Sequence, residues 1–269
     1  MLRRTLMILV SLGLGACGGG DADGDGVDDG GADDPFTIDA DGETVSTLRL
    51  SPDGTQVAVV YGADDRVGVL GLAGGAVTDV APGGTYLTGI AWADDATLLF
   101  TGDGGIYSVA LDGSGLVMLD DAFAASGLDV SPDGTTLAYG VNGGDGVVLT
   151  LADSTARVMP TRCGVARFSP DGATIACDAQ GSLVLVDVAT LVATTLIDGL
   201  DFFAPLDWFA DGTRLAVAGP DGIEVVDVAT GARTPLTDAF AVIDLDLAAD
   251  DSLLLYRENG SSIIHGVPL

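Results

Sequence analysis

The sequence predicts an all-β chain folded as a six-bladed β-propeller of four-stranded antiparallel blades. Three observations carry that prediction. The pentad SPDGT occurs at 51–55 and again at 131–135, and SPDGA stands at 169–173. Aligned with their degenerate relatives, these stretches bring six acids into one column: Asp53, Asp95, Asp133, Asp171, Asp211 and Asp250, spaced by 42, 38, 38, 40 and 39 residues. A period near 40 residues with strand-like content is that of four-stranded propeller blades. The composition agrees, with 40 Gly among 269 residues, 6 % aromatics and many short Val, Leu and Ala runs, as expected of short strands joined by tight turns.

Each unit reads as four strands. An inner strand such as TGIAW (88–92) enters the repeated turn and a second, such as TLLFT (97–101), leaves it. A third follows, as in GIYSVAL (105–111), SLVLVDV (182–188) and GIEVVDV (222–228), and a shorter fourth closes the blade, as in LVML (116–119). In the turn, Pro presets φ, Asp accepts hydrogen bonds from nearby amides, and Gly takes the left-handed conformation that returns the chain. The two inner strands are apolar at almost every position, as strands covered on both faces should be. The sixth unit ends after SSIIHGVPL (261–269) without a fourth strand, while FTIDA (36–40) precedes the first unit unpartnered. The N-terminal strand is therefore expected to complete the last blade, closing the ring and removing exposed edges.

The SPDG turns, together with IYSVALDGSG (106–115) and VVDVATG (225–231), resemble the propeller repeats of the TolB family and, more distantly, WD-repeat and lactonase-type propellers. The resemblance spans about 36–269. It implies a protein that binds other envelope proteins in the periplasm. The separate N-terminal domain of that family's best-known member is not expected here, since the residues before the blades read as a short spacer.

The N-terminal stretch MLRRTLMILVSLGLGAC has Arg3 and Arg4, an apolar run from Leu6 to Leu14, small residues and Cys17. A positive start, a short apolar middle and a small-residue end make an export signal, too short to span a bilayer. LGAC (14–17) resembles the lipobox of bacterial lipoproteins, which implies cleavage after residue 16 and acylation of Cys17; the other reading is an ordinary secretory signal with a stray Cys. Acyl chains anchor a protein because each buried methylene contributes about 0.8 kcal/mol. For a Gram-negative cell, Gly18 rather than Asp after the Cys resembles the pattern of outer-membrane lipoproteins, facing the periplasm or the cell surface. Residues 17–35 then form the lipidated Cys and an acidic Gly/Asp tether, and residues 36–269 the propeller domain. Within the tether, Asp21, Asp23, Asp25 and Asp29 occupy positions of a calcium loop, but Ala32 stands where the bidentate Glu should be. The favoured reading is a solvated tether; the alternative is weak Ca²⁺ binding, and no other cofactor is expected.

Asp and Glu number 40 against 10 basic residues, all Arg, for a net charge of −30. Such a field repels nucleic acid and anionic lipid surfaces. No G-x-S-x-G or Walker A motif is present, and the single His265 cannot build a His-rich metal site. Cys163 and Cys177 flank the fourth unit's turn. In an exported protein they invite a disulfide; two buried free thiols are the other reading, and strand register decides between them.

The most suggestive constellation lies four residues before each repeat Asp: Arg49, Ala91, Asp129, Arg167, Asp207 and Asp246, on inner strands around the channel. Neighbouring blades are expected to pair Arg49 with Asp246, and Arg167 with Asp129 and Asp207. The favoured reading is a structural inter-blade network, in which Arg167→Ala lowers the melting temperature; the alternative is a ligand or cation site with Asp244 nearby. Trp92 and Trp208 are expected to pack between blades.

These readings combine into a monomeric, lipid-anchored, non-catalytic protein-binding scaffold in the cell envelope, favouring the outer membrane and an envelope protein partner. A lactonase-like hydrolase or a small-ligand or cation sensor in the channel is the alternative.

Overall fold

In the computed structural model, the described residues are 35–40, 42–62, 66–72, 76–81, 89–102, 104–121, 125–141, 144–200 and 204–269. They form 24 strands and no helix. The chain opens with β1 (Phe36–Asp39). Blade 1 is β2 (Val45–Leu50), β3 (Gln56–Tyr61), β4 (Arg66–Gly71) and β5 (Thr78–Ala81). Blade 2 is β6 (Ile90–Asp94), β7 (Thr97–Gly102), β8 (Gly105–Ala110) and β9 (Val117–Asp120). Blade 3 is β10 (Ala125–Val130), β11 (Thr136–Val141), β12 (Asp145–Thr150) and β13 (Thr155–Arg162). Blade 4 is β14 (Ala166–Phe168), β15 (Thr174–Asp178), β16 (Ser182–Asp187) and β17 (Ala193–Asp198). Blade 5 is β18 (Leu206–Trp208), β19 (Arg214–Gly219), β20 (Gly222–Asp227) and β21 (Arg233–Thr237). Blade 6 is β22 (Val242–Leu247), β23 (Leu253–Glu258), β24 (Ile263–Pro268) and, from the other end of the chain, β1.

The closure expected from the sequence is present. β1 lies antiparallel to β24 with Phe36 opposite Gly266 and Asp39 opposite Ile263. The first strand of each blade contacts that of the next around the whole ring, including β2 against β22. Apolar packing follows the same geometry, with one buried cluster between each pair of adjacent blades. Because successive side chains of a strand point to opposite faces, Val57 and Val59 of β3 join Leu255 and Ile264 of blade 6. Ala58 and Val60 of the same strand join Trp92 and Phe100 of blade 2. This two-sided burial is the reason the second strand of each blade shows no polar alternation through its middle.

The repeated turn is built as the sequence predicts in its intact copies. Asp53 Oδ1 accepts from the Ser51 hydroxyl at 2.6 Å and from the Thr55 amide at 3.0 Å. Asp133 and Asp171 do the same with Ser131 and Thr135, and with Ser169 and Ala173. Gly54, Gly134, Gly172 and Gly212 hold φ between +66° and +71°. Blade 2 departs from the pattern. Asp94 takes the turn-capping role by accepting from the Ala96 amide at 2.9 Å, while Asp95 accepts from the Asp53 amide of blade 1 at 3.0 Å. In blade 6 the left-handed position falls to Asp251 at φ 61°.

Candidate functional site

The column four residues before each turn Asp does sit on the inner strands. Arg49, Asp129, Arg167 and Asp207 each face an alanine of the second strand (Ala58, Ala138, Ala176 and Ala216), and Asp246 faces Leu255. An alanine opposite leaves room for a long or charged neighbour.

Three of these acids make one recurring bond. Asp129 of blade 3 accepts from the Phe168 amide of blade 4 at 2.7 Å. Asp207 of blade 5 accepts from the Leu247 amide of blade 6 at 2.8 Å, and Asp246 of blade 6 from the Leu50 amide of blade 1 at 2.6 Å. Each carboxylate thus caps the residue that follows its own equivalent in the next blade. Where the column holds Arg, the link runs through tryptophan. The Trp92 indole N–H donates to the Arg49 carbonyl at 3.0 Å, and the Trp208 indole N–H to the Arg167 carbonyl at 3.1 Å. Both indoles are buried, so they pack between blades and also bond across them.

The two arginines differ. Arg49 Nη1 lies 3.1 Å from Asp244 Oδ1, and Nε lies 3.9 Å from Asp246 Oδ1. Asp244 also accepts from the Thr47 hydroxyl at 2.6 Å and the Leu48 amide at 2.9 Å. Arg167, only 3 % exposed, donates Nη1 to the Ala166 carbonyl at 2.7 Å, while its Nε and Nη2 have no hydrogen-bond partner. Among the described residues it forms no ion pair, so the expected bridges to Asp129 and Asp207 are absent. The reason lies two residues upstream. Where blade 6 carries Asp244, blade 3 carries Gly127, and Asp129 is engaged with the Phe168 amide. The expected cost of Arg167→Ala therefore loses its premise. A third buried guanidinium, Arg257, lies beside this network and donates Nη2 to the Ser46 carbonyl at 3.1 Å.

Burial raises the three acids of the column, Asp129, Asp207 and Asp246. It lifts Asp129 to about 7 and Asp207 to about 6. Burial, followed by the neighbouring Asp207 charge, holds Asp246 well above the usual carboxylate range. Arg49 is held firmly charged: its burial opposes this, and Asp244 and Asp246 outweigh it. Asp53, Asp133, Asp171, Asp211 and Asp250 in the turns move the other way. Hydrogen bonds from Ser51 and Thr55 lower Asp53, and those from Ser131 and Thr135 lower Asp133.

Cys163 and Cys177 are joined in a disulfide, so they are not two separate thiols. Cys163 follows β13 and Cys177 lies in β15, opposite Ala166; the Gly164 amide bonds to the Asp178 carbonyl at 2.8 Å. That pairing brings the two α-carbons to 4.9 Å, within bridging range. Gly140 of blade 3 packs against the same connector, where a β-carbon would stand 1.8 Å from the Cys163 carbonyl oxygen. His265 lies in β24 with its ring stacked on Tyr256 at 4.9 Å. Cys17 and the tether acids Asp21, Asp23, Asp25 and Asp29 lie outside the described residues. Among the described residues, no three His, Cys, Asp or Glu side chains are grouped to hold a metal ion, and no helix is long and apolar enough to cross a membrane.

Sequence reasoning named Asp244 only as a neighbour, although it is Arg49's nearest acid. The alternating DLD of β22 (244–246) was the signal, since it puts both carboxylates on one face of the strand. Trp92 and Trp208 share one repeat position, in the blade after each column Arg, so spacing places the indoles but not the carbonyls they bond. Leu116, Val117 and Met118 lie at and before the start of the closing strand, as the sequence predicts, but are exposed.

No family model matches the chain, and no curated protein matches it. Solved structures do: 1566 chains match, so the likeness identifies a widely used architecture rather than an activity. One is a chain from the crystal structure of a Nidogen/Laminin complex, with a TM-score of 0.64 and 14 % identity over 72 % of this chain and 80 % of that one. At that identity the likeness shows the fold alone.

Proposed function

We propose that the chain is a lipid-anchored cell-envelope protein whose TolB-like propeller serves as a non-catalytic protein-binding scaffold. The observation that carries this reading is how the inner ring is used. Asp129, Asp207 and Asp246 each hold the backbone of the next blade, and Asp244 holds Arg49. Groups fixed in this way tie blades together and leave the rim and outer edges for recognition. The chain at Nidogen/Laminin shares this fold within a protein–protein complex. The signal-like residues 1–16 and Cys17, followed by the Gly/Asp tether to residue 35, support delivery to the envelope and attachment there, with the outer membrane favoured.

Two experiments test the reading. Radiolabelled palmitate should enter the wild-type protein and not Cys17→Ser, which should also leave the membrane fraction; equal labelling of both removes the anchor. In-cell crosslinking followed by purification of the full chain should recover a defined envelope partner, and recovery of none would remove the scaffold. A second reading, a small-ligand sensor in the channel, rests on the unpartnered Nε and Nη2 of Arg167. A small acid that copurifies with wild type and not with Arg167→Met would favour it.

A further inference from the structure

The outer edge of blade 2 carries a feature that the scaffold reading does not explain. Leu116, Val117 and Met118 are 49 %, 55 % and 55 % exposed. No other run of consecutive large apolar residues is so exposed among the described residues. Val117 and Met118 begin β9, the last strand of its sheet, and no strand lies beyond it among the described residues. At Val117 and Met118 the outward backbone edge has no strand partner among the described residues, the hazard that edge strands usually suppress with charge or proline. Other outer strands do so: β13 carries Pro160 and β21 carries Pro235, while Asp79 of β5 is bonded to Arg66. In β9 the one charge, Asp120, closes the strand, where the Tyr139 hydroxyl approaches it at 3.5 Å. Met118 lies over Gly105, which has no side chain to cover it.

The surrounding charge is one-sided. Between Arg66 and Arg157 the sequence holds eleven Asp and no Arg, Lys or His. Asp112 and Asp121 stand exposed at either end of the 116–118 stretch. A second copy of this chain would bring the same negative field to the edge and be repelled. A basic extended segment would be attracted.

We propose that β9 receives an extended segment of a partner protein, with alternating apolar and basic side chains, as a fifth strand of blade 2. The backbone of the segment pairs with the free edge, its apolar side chains cover Val117 and Met118, and its basic side chains meet the flanking acids. This rests on the scaffold reading and specifies where and what it binds.

The test uses the full chain and a short synthetic peptide alternating valine and lysine, with a valine–glutamate peptide as control. The basic peptide should bind, weaken with added salt, and slow hydrogen exchange in β9. The triple variant Leu116→Ser, Val117→Thr, Met118→Gln should lose about tenfold or more in affinity. Val158→Thr with Val192→Thr, exposed apolar sites on blades 3 and 4, should bind as wild type does. Absence of basic-peptide binding, equal binding by the triple variant, or protection elsewhere than β9 overturns the proposal. In cells, a triple variant that still crosslinks to the wild-type chain's partner overturns this edge and leaves the scaffold standing. A wild-type chain that crosslinks to nothing removes the scaffold itself.

Discussion

Arg49 and Arg167 occupy the same repeat position, in blades 1 and 4, and both are buried. One is clasped by Asp244 and approached by Asp246; the other reaches only a backbone carbonyl. The difference is set by the preceding blade, where Asp244 is matched by Gly127. Equivalent residues in a repeat therefore share a place without sharing an interaction, because each partner comes from a neighbour that has diverged. For a buried charge that distinction is large. A guanidinium with carboxylates has its desolvation offset, and one without them does not.

The largest expected effect lies on the Arg49 side. Asp244→Ala removes the nearest acid and orphans the Thr47 and Leu48 donors, and should destabilise the protein by about 3–5 kcal/mol in chemical denaturation. Arg167→Met should be neutral or stabilising by about 1–4 kcal/mol, since it removes a charge with no acid beside it. A loss on Arg167→Met as large as on Asp244→Ala would erase the contrast between the two arginines.

The disulfide tests how much blade 4 depends on covalent closure. Cys163→Ala with Cys177→Ala should cost about 2–4 kcal/mol, since the bridge closes a short loop, 14 residues in sequence separation. An unchanged denaturation midpoint would show that the hairpin holds the connector unaided.

The ring acids give the next effect, with a definite sign. Unfolded Asp titrates near 3.9, whereas folded Asp129 and Asp207 titrate at about 7 and about 6. Between those values the folded state retains protons that the unfolded chain has released. The contribution is fully present below about pH 4 and is lost as pH rises to 7, by at most about 1.4 kcal/mol per pH unit for each group. Asp53, Asp133, Asp171, Asp211 and Asp250 act oppositely below pH 4, where protonation cancels their lowered values. Thermal melts should therefore show greatest stability near pH 4–5, and Asp129→Asn should flatten the decline towards pH 7. A decline equally steep in Asp129→Asn would place its origin elsewhere.

The smallest effect on folding belongs to the outer edge. Leu116→Ser, Val117→Thr and Met118→Gln together should shift stability by no more than about 0.5 kcal/mol per site, because those side chains are already exposed. A large loss would mean that the edge is part of the core.

Much of this molecule is legible in the sequence. The spacing of Asp53, Asp95, Asp133, Asp171, Asp211 and Asp250 counts the blades, and the unpartnered 36–40 stretch predicts β1 beside β24. The turns follow from local chemistry: Ser, Asp and Gly act within five residues, so their letters suffice. The inner ring is only half legible. Periodicity places Arg49, Asp129, Arg167, Asp207 and Asp246 on equivalent strands, but not which donor each acid chooses.

The sequence alone therefore determined the architecture, because blade period, strand burial and turn chemistry are properties of short segments. The tertiary structure decided the partners of the buried charges, the tryptophan links, the bridging of Cys163 to Cys177 and the exposure of Leu116–Met118. Those depend on distances between residues far apart in the chain, where a shift of one position in register turns a side chain to the other face.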